Sequence, residues 1–425
     1  TRAVPEGDRY KLFGQKIYIT YGEHDYAENI IHLVLARTPD APVGVKGISL
    51  FLVPKFLINA DGSLGARNDV QCASLEHKLG IHSSPTATLN YGEAGGAVGY
   101  LIGEENRGLE YMFIMMNLAR FSIGVQGIGV ADRAYQHALA YAKERTQSKD
   151  LAVKDPTPVT IIHHPDVRRL LMTSKAQIEA MRGLALVLAS AMDHAHANPD
   201  ATVRAERESF VELMTPVVKG WSTENSLEIT SNALQVFGGM GFVEETGAAQ
   251  YYRDARITTI YEGTTAIQAN SLVGRALLRD KTGTVASIIA SMRATATELT
   301  SNSDANVKAI HPHFVSAIDA LDAASMHLIA TAKSEIKDAF AGSVPYLMLW
   351  GTVAGGWQMA RAALAASKNA NDEFNAAKIV TSRYYAEHIL TRAYHLRAEI
   401  IEGGATVNAL DEAAFELDRK RPVLA

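Results

Sequence analysis

A chain of 425 residues with 47% hydrophobic and 20% charged side chains is long enough for two or three domains and too apolar to be disordered. A formal charge of −5 without any Lys/Arg block excludes a nucleic-acid footprint. The one cysteine, Cys72, excludes an intrachain disulfide framework and fits a reducing compartment. No apolar run reaches the length of a membrane span and no signal segment opens the chain, so a soluble protein is expected. Strand-like text begins within ten residues of Thr1. The chain therefore reads as a piece whose N-terminal segment was removed or exists as a separate chain.

Residues 10–102 read as β-structure, with apolar or alternating runs at 11–20, 30–36, 47–53 and 87–91. Gly, Pro, Asp and Asn punctuate them, as in a small antiparallel barrel or sandwich with Ile17 in its core. After the polar turn at 104–108 the texture becomes helical over 109–144, where Gly124, Gly127, Gly129 and Ala131 allow close helix approach. Pro165 and Asp166 suit the start of a second helix running to about residue 197. A third spans 202–237, and a fourth starts near 264 and ends by 279. Four long amphipathic helices with short connections predict a bundle. Residues 280–284 read as a linker, followed by helical stretches at 287–301, 307–341, 347–367 and 376–402. The class is α+β, with a β-domain at 1–105, a bundle at 106–280 and a further helical domain at 285–425.

The segment from Tyr251 to Gln268 carries the most chemical information. Glu262-Gly263-Thr264 puts a carboxylate ahead of a helix that Thr264 can cap, while Gly263 permits close backbone approach to a ligand. Beside Tyr261 and Ile260, that carboxylate reads either as a desolvated base with a raised pKa or as a solvated residue at a capped helix start. His163 and His164 are adjacent and form no chelate. His311-Pro312-His313 lacks a third ligand and reads as a loop. Asp254 and Arg256 read as structural. No metal site, Walker loop, Rossmann fingerprint or Ser/His/Asp elbow stands out.

Arg253-Asp254-Ala255, a short apolar stretch and Tyr261-Glu262-Gly263-Thr264 together resemble the signature of the acyl-CoA dehydrogenase family. Gly14-Gln15-Lys16-Ile17-Tyr18-Ile19-Thr20 is similar to the family's strand behind the flavin. Lys143-Glu144-Arg145-Thr146-Gln147 resembles the end of its first bundle helix, and the run from Gln235 to Phe242 its Gly-Gly-x-Gly turn. Four motifs in order, across residues 10–279, imply the fold of that family: a small antiparallel β-domain, a four-helix bundle and here an extra helical domain. The resemblance implies FAD as cofactor and Glu262 as the base that takes the α-proton of an acyl-CoA while the β-hydrogen leaves as hydride. It implies that the Glu262 N–H and a flavin hydroxyl donate to the thioester carbonyl.

The same resemblance implies that Thr20 and Tyr18 meet the flavin ring, with Tyr18 standing where Trp is frequent. Arg145, Gln147, Gln235, Gly238, Gly239 and Gly241 face the distal part of a partner subunit's FAD, and Thr264 and Gln268 belong to the FAD-contacting helix start. Ala266 stands where Gln is common. Arg120, Asn117, Tyr261 and Gly263 are implied on the acyl-CoA side.

The helical tail and residues 261–275 look most like the 3-methylmercaptopropionyl-CoA dehydrogenase group, which forms a 2-enoyl-CoA from a short thioether acyl-CoA. Alternatives are an acyl-CoA oxidase using oxygen, a long- or very-long-chain dehydrogenase, and a flavin-free scaffold. The implied partners are an electron-transfer flavoprotein and further copies in a homodimer or dimer of dimers. The implied location is a bacterial cytoplasm or a mitochondrial matrix. No metal, nucleic-acid or membrane partner is expected.

Overall fold

Alternating apolar and polar residues near the start of the chain fold into nine strands: β1 Arg2–Glu6, β2 Arg9–Thr20, β3 Ile31–Ala36, β4 Ser49–Pro54, β5 Phe56–Ile58, β6 Leu64–Arg67, β7 Val70–Leu75, β8 Thr86–Tyr91 and β9 Ala97–Ile102. The computed structural model describes residues 1–420 and divides into two units, residues 1–119 and residue 120 onward. The last five residues of the helical tail lie outside the described residues.

In the first unit seven strands form one antiparallel sheet in the order β3-β4-β9-β2-β8-β7, with β1 also paired to β2. Ala3 N–H donates to the Arg37 carbonyl at 2.7 Å, so β1 links the end of β3 back to β2 and the pairings form a ring. Leu12, Phe51, Val53, Ala87, Leu89 and Tyr91 fill its core. The β2–β8 register shifts between Lys16 and Ile19, and Tyr18 adopts a left-handed φ of 58°. An extra residue in a strand upsets its in/out alternation. As a result Ile17 is 53% exposed, which corrects the core position that simple alternation assigns to it.

The helices are α1 Gly108–Glu144, α2 Pro165–Ala197, α3 Ala201–Phe237, α4 Ala248–Arg256, α5 Thr265–Ser271, α6 Thr284–Ser301, α7 Ala305–Thr331, α8 Ile336–Ala341, α9 Ser343–Ala366, α10 Glu373–His388, α11 Arg392–Glu402 and α12 Gly404–Val407. A short ribbon, β10 Thr146–Lys149 and β11 Pro158–Thr160, follows α1. The boundaries have local causes. Pro165 opens α2, and Asp200, Asp304 and Asp372 cap α3, α7 and α10 through backbone N–H groups. The fourth bundle segment is shorter than its apolar pattern predicts. After seven residues α5 gives way to a π-helical turn at Leu272–Leu277, closed by Leu278 N–H on the Val273 carbonyl at 2.9 Å.

One apolar core in the second unit runs through α2, α3, α6, α7, α9, α10 and α11. Helix α3 lies deep in it, and every residue from Leu213 to Thr223 is buried, as expected for a helix enclosed on all sides. Trp221 sits against Gly351 and Gly355 of α9, positions where a side chain would collide with its ring. The predicted linker is ordered by Asp280, whose carboxylate accepts the N–H groups of Thr282, Thr284 and Val285.

Two readings of the tail change. His311-Pro312-His313 is not a loop but part of α7, where Pro312 is accommodated about two turns beyond the cap. A proline removes one helical hydrogen bond yet keeps a helix-compatible φ, so the packed residues Ile310 and Phe314 on either side decide the outcome. Helices α1 and α7 are also long and apolar enough to cross a membrane, contrary to the expectation from composition. Packing accounts for α7, which buries Val307, Ile310, Phe314 and Leu321 in the shared core.

Candidate active site

Glu262 stands on a tight turn between the short helical segment that follows α4 and the start of α5. Its φ is 55° and that of Gly263 is 92°, so two consecutive residues are left-handed. For a glutamate this conformation costs about 1–2 kcal/mol. Buried donors hold it. Lys219 Nζ donates to the Gly263 carbonyl at 2.8 Å, and Gln268 Nε2 donates to the carbonyls of Glu262 and Gly263 at 3.2 and 3.1 Å. Both donor side chains are 0% exposed. Thr264 caps α5 by accepting the Ile267 N–H at 3.3 Å.

Charges gather around the turn. Glu262 is half-buried and Arg120 nearly fully buried. Burial and the like charge of Arg275 pull the Arg120 guanidinium below its usual pKa, while the Glu262 carboxylate opposes them. Burial brings Lys219 down to about 8 against the opposing pull of Glu224 and Glu262, with Arg120 adding to the lowering. Burial also raises the Tyr261 phenol, as does the Glu262 charge, while its O–H donates to Gln126 Oε1 and that bond works the other way. A carboxylate presented on a rigid turn among buried cations can accept a proton from a carbon acid, provided a polarised carbonyl lies beside it.

A second candidate site lies where α1 and α3 end. Arg145, Gln147, Gln235, Gly238 and Gly239 line one cavity of about 870 Å³, with Tyr141, His164, Phe237 and Met240. His164 Nε2 is 2.7 Å from the Gln147 carbonyl, fixing the ribbon after α1 against the start of α2. Phe237 stacks on Tyr141, with ring centroids 4.3 Å apart. Gly238, with φ 61°, ends α3. A Cβ on Gly238 or Gly239 would meet open space, whereas one on Gly241 would strike the Leu234 carbonyl at 2.5 Å. The first two glycines thus leave the backbone approachable, and the third serves packing.

The remaining predicted residues belong to the first unit. Thr20 ends β2 opposite Thr86, and both it and Tyr18, which is 69% exposed, have side chains open to solvent. Asn117 is exposed on the part of α1 counted with that unit. Lys219 was missed by sequence reading. Its signal is a lone charge in Thr215-Pro216-Val217-Val218-Lys219-Gly220-Trp221, a stretch otherwise apolar or small. Among the described residues no group of three or more His, Cys, Asp or Glu is arranged to hold a metal.

Residues 106–278 match the family model for the acyl-CoA dehydrogenase C-terminal domain, and residues 288–411 match one described as acetyl-CoA dehydrogenase C-terminal like. The 3-methylmercaptopropionyl-CoA dehydrogenase of Ruegeria pomeroyi is 49% identical over 95% of this chain and 68% of its own length. A broad-specificity linear acyl-CoA dehydrogenase of Mycobacterium tuberculosis is 36% identical over 98% of this chain and 71% of its own. The chain thus spans about two thirds of the length of these relatives. The fold is shared with the FAD complex of an acyl-CoA dehydrogenase from Bacillus anthracis, at a TM-score of 0.73 and 20% identity over 100% of this chain and 70% of that one. It is shared too with Caenorhabditis elegans ACDH-11 bound to C11-CoA, at 0.75 and 22% over 94% and 64%.

Proposed function

The chain belongs to the acyl-CoA dehydrogenase family, and from that premise we propose that it introduces the α,β double bond into an acyl-CoA thioester, with Glu262 as the base. The observation that carries this reading is the left-handed turn that presents the Glu262 carboxylate beside buried Arg120. The thioester carbonyl acidifies its α-hydrogen, and Glu262 takes it as a proton. Tyr261, fixed through Gln126, and Arg120 shape the space where the thioester lies, and burial there keeps competing water away.

FAD fits the cavity at the ends of α1 and α3, because the open backbone at Gly238 and Gly239 can meet a flat or phosphorylated group and Arg145 supplies positive charge. Arg145, Gln147, Gln235, Gly238 and Gly239 would hold the distal half of a partner subunit's FAD, and Tyr18 and Thr20 of the first unit are the residues assigned to a flavin ring. When bound, FAD supplies the acceptor for the β-hydride, so the product is the trans-2-enoyl-CoA. The substrate class we assign is a short thioether acyl-CoA such as 3-(methylthio)propanoyl-CoA, supported by the 49% identity to the Ruegeria enzyme. An electron-transfer flavoprotein as acceptor and a homodimer complete the reading.

The test is anaerobic titration of the flavoprotein that carries this chain with thioether and linear acyl-CoAs, beside its Glu262→Gln variant. Bleaching of the oxidised-flavin absorbance by one class, slowed by about 10²- to 10⁴-fold in the variant with FAD still bound, supports the proposal. Equal bleaching in the variant would remove Glu262 from the mechanism.

A further inference from the structure

Lys219 is 0% exposed in the middle of α3, within a stretch where every residue from Leu213 to Thr223 is buried. A buried ammonium is expensive unless its charge and its donors are used. Removal of the charged group in favour of an apolar one of similar size is often neutral or stabilising, so fold stability alone gives little reason for a lysine here. Its amino group donates at 2.8 Å to the carbonyl of Gly263, the residue after the base. Gln268, also 0% exposed, gives its amide to that carbonyl and to the Glu262 carbonyl. The two donors therefore act on the two peptide groups whose left-handed dihedrals decide where the Glu262 side chain points.

We propose that Lys219 is a positioning residue for the base: its ammonium clamps the Gly263 carbonyl and so holds Glu262 in the left-handed turn from which it reaches the α-hydrogen. The inference rests on the reading of Glu262 as the base. Lys219 touches neither substrate nor cofactor in this account and acts only through the turn. Its location explains why α3 carries a charge in its most enclosed stretch. Burial has already lowered its pKa, so the charge is kept at some energetic cost, which the negative charges of Glu224 and Glu262 partly offset. A clamp on the backbone fixes geometry on the scale that matters for proton transfer, where a misplacement of about 1 Å can cost 10²-fold.

The test compares wild type, Lys219→Met and Glu262→Gln in the complete flavoprotein, with rates expressed per bound FAD. Acetyl-CoA in D2O isolates the proton step, because it has α-hydrogens and no β-carbon. Expected for Lys219→Met are an exchange rate and a kcat lowered about 10- to 100-fold, an unchanged KM, and a melting temperature equal to or above wild type. A purely structural lysine gives the opposite pattern, a lower melting temperature with wild-type exchange and kcat per bound FAD, and that result overturns the inference. If Lys219→Met binds no FAD, Lys219→Gln is measured against the same two outcomes. Loss of exchange in Glu262→Gln with wild-type exchange in the lysine variant defeats the clamp alone. Exchange that survives in Glu262→Gln defeats the base assignment and the clamp with it.

Discussion

Arg392 grips Glu228 through both terminal guanidinium nitrogens, each 2.7 Å from a carboxylate oxygen. The pair joins α11 to α3, and Gln177 of α2 adds a third donor at 3.0 Å. A second tie, Lys378 on Glu179, joins α10 to α2. The helical tail is thus fastened to the same helices that carry the site, through charge-assisted bonds as well as the shared apolar core.

Arg392→Leu is expected to destabilise the protein by about 1–2 kcal/mol, less than a fully enclosed pair would lose, because roughly a third of each side chain remains in water. The sign of the pH dependence follows from Glu228. Burial pushes its carboxyl up, but Arg392 and Gln177 outweigh burial and hold it below the usual 4.5. A depressed folded-state pKa contributes stability that is full above 4.5 and is lost as pH falls through the lower folded value. Thermal melts of wild type and Glu228→Gln should therefore differ at neutral pH and converge in acid. A gap that widens in acid would contradict the assignment.

Gly239→Leu should separate folding from cofactor binding. Nothing lies within 4 Å of the added Cβ, so the apoprotein should keep its melting temperature. The side chain would occupy the approach to the cavity that Gly239 lines, and the ratio of flavin to protein absorbance should fall by at least about tenfold. Full flavin content in this variant would move the cofactor elsewhere.

Gly351→Leu tests whether the tail is a separable module. The new Cβ would lie 2.0 Å from Trp221 Cγ, and Trp221 is itself fully buried with no room to retreat. The cost should reach or exceed the upper end of the usual overpacking range of about 1–3 kcal/mol. Calorimetry should show a single transition from residue 120 onward moving to lower temperature, and Trp221→Leu in the same chain should recover part of the loss. Two independent transitions would mean that bundle and tail fold separately.

The long helices were readable because each boundary has a local cause: Pro165 at the start of α2, Asp200 ahead of α3, the glycines that end it. The turn at Glu262 was readable through Tyr261-Glu262-Gly263-Thr264, and five of the residues implied along the cofactor, Arg145, Gln147, Gln235, Gly238 and Gly239, line one cavity while Tyr18, Thr20, Gly241, Thr264 and Gln268 do not. Tertiary effects defeated the rest. Ile17 is turned outward by a bulge that strand periodicity does not encode, and Pro312 stays helical because Ile310 and Phe314 are anchored on both sides of it. Lys219 escaped notice because lysines are almost always on surfaces, and only the enclosure of α3 on every side reveals where this one points.

The π turn at Leu272–Leu277 sets the chain's tolerance of length changes. It holds one residue more than an α-helix would in the same rise, and it delivers Arg275 to the neighbourhood of Arg120. Deleting a single residue there would let the segment rewind as α-helix, and the residues on both sides would keep their faces, because this turn is where the extra residue is absorbed. α5 would keep its hold on the Glu262 turn, and only residues within the π turn, Arg275 among them, would shift. A one-residue deletion at this spot should therefore do less harm than the same deletion in the middle of a regular helix such as α3.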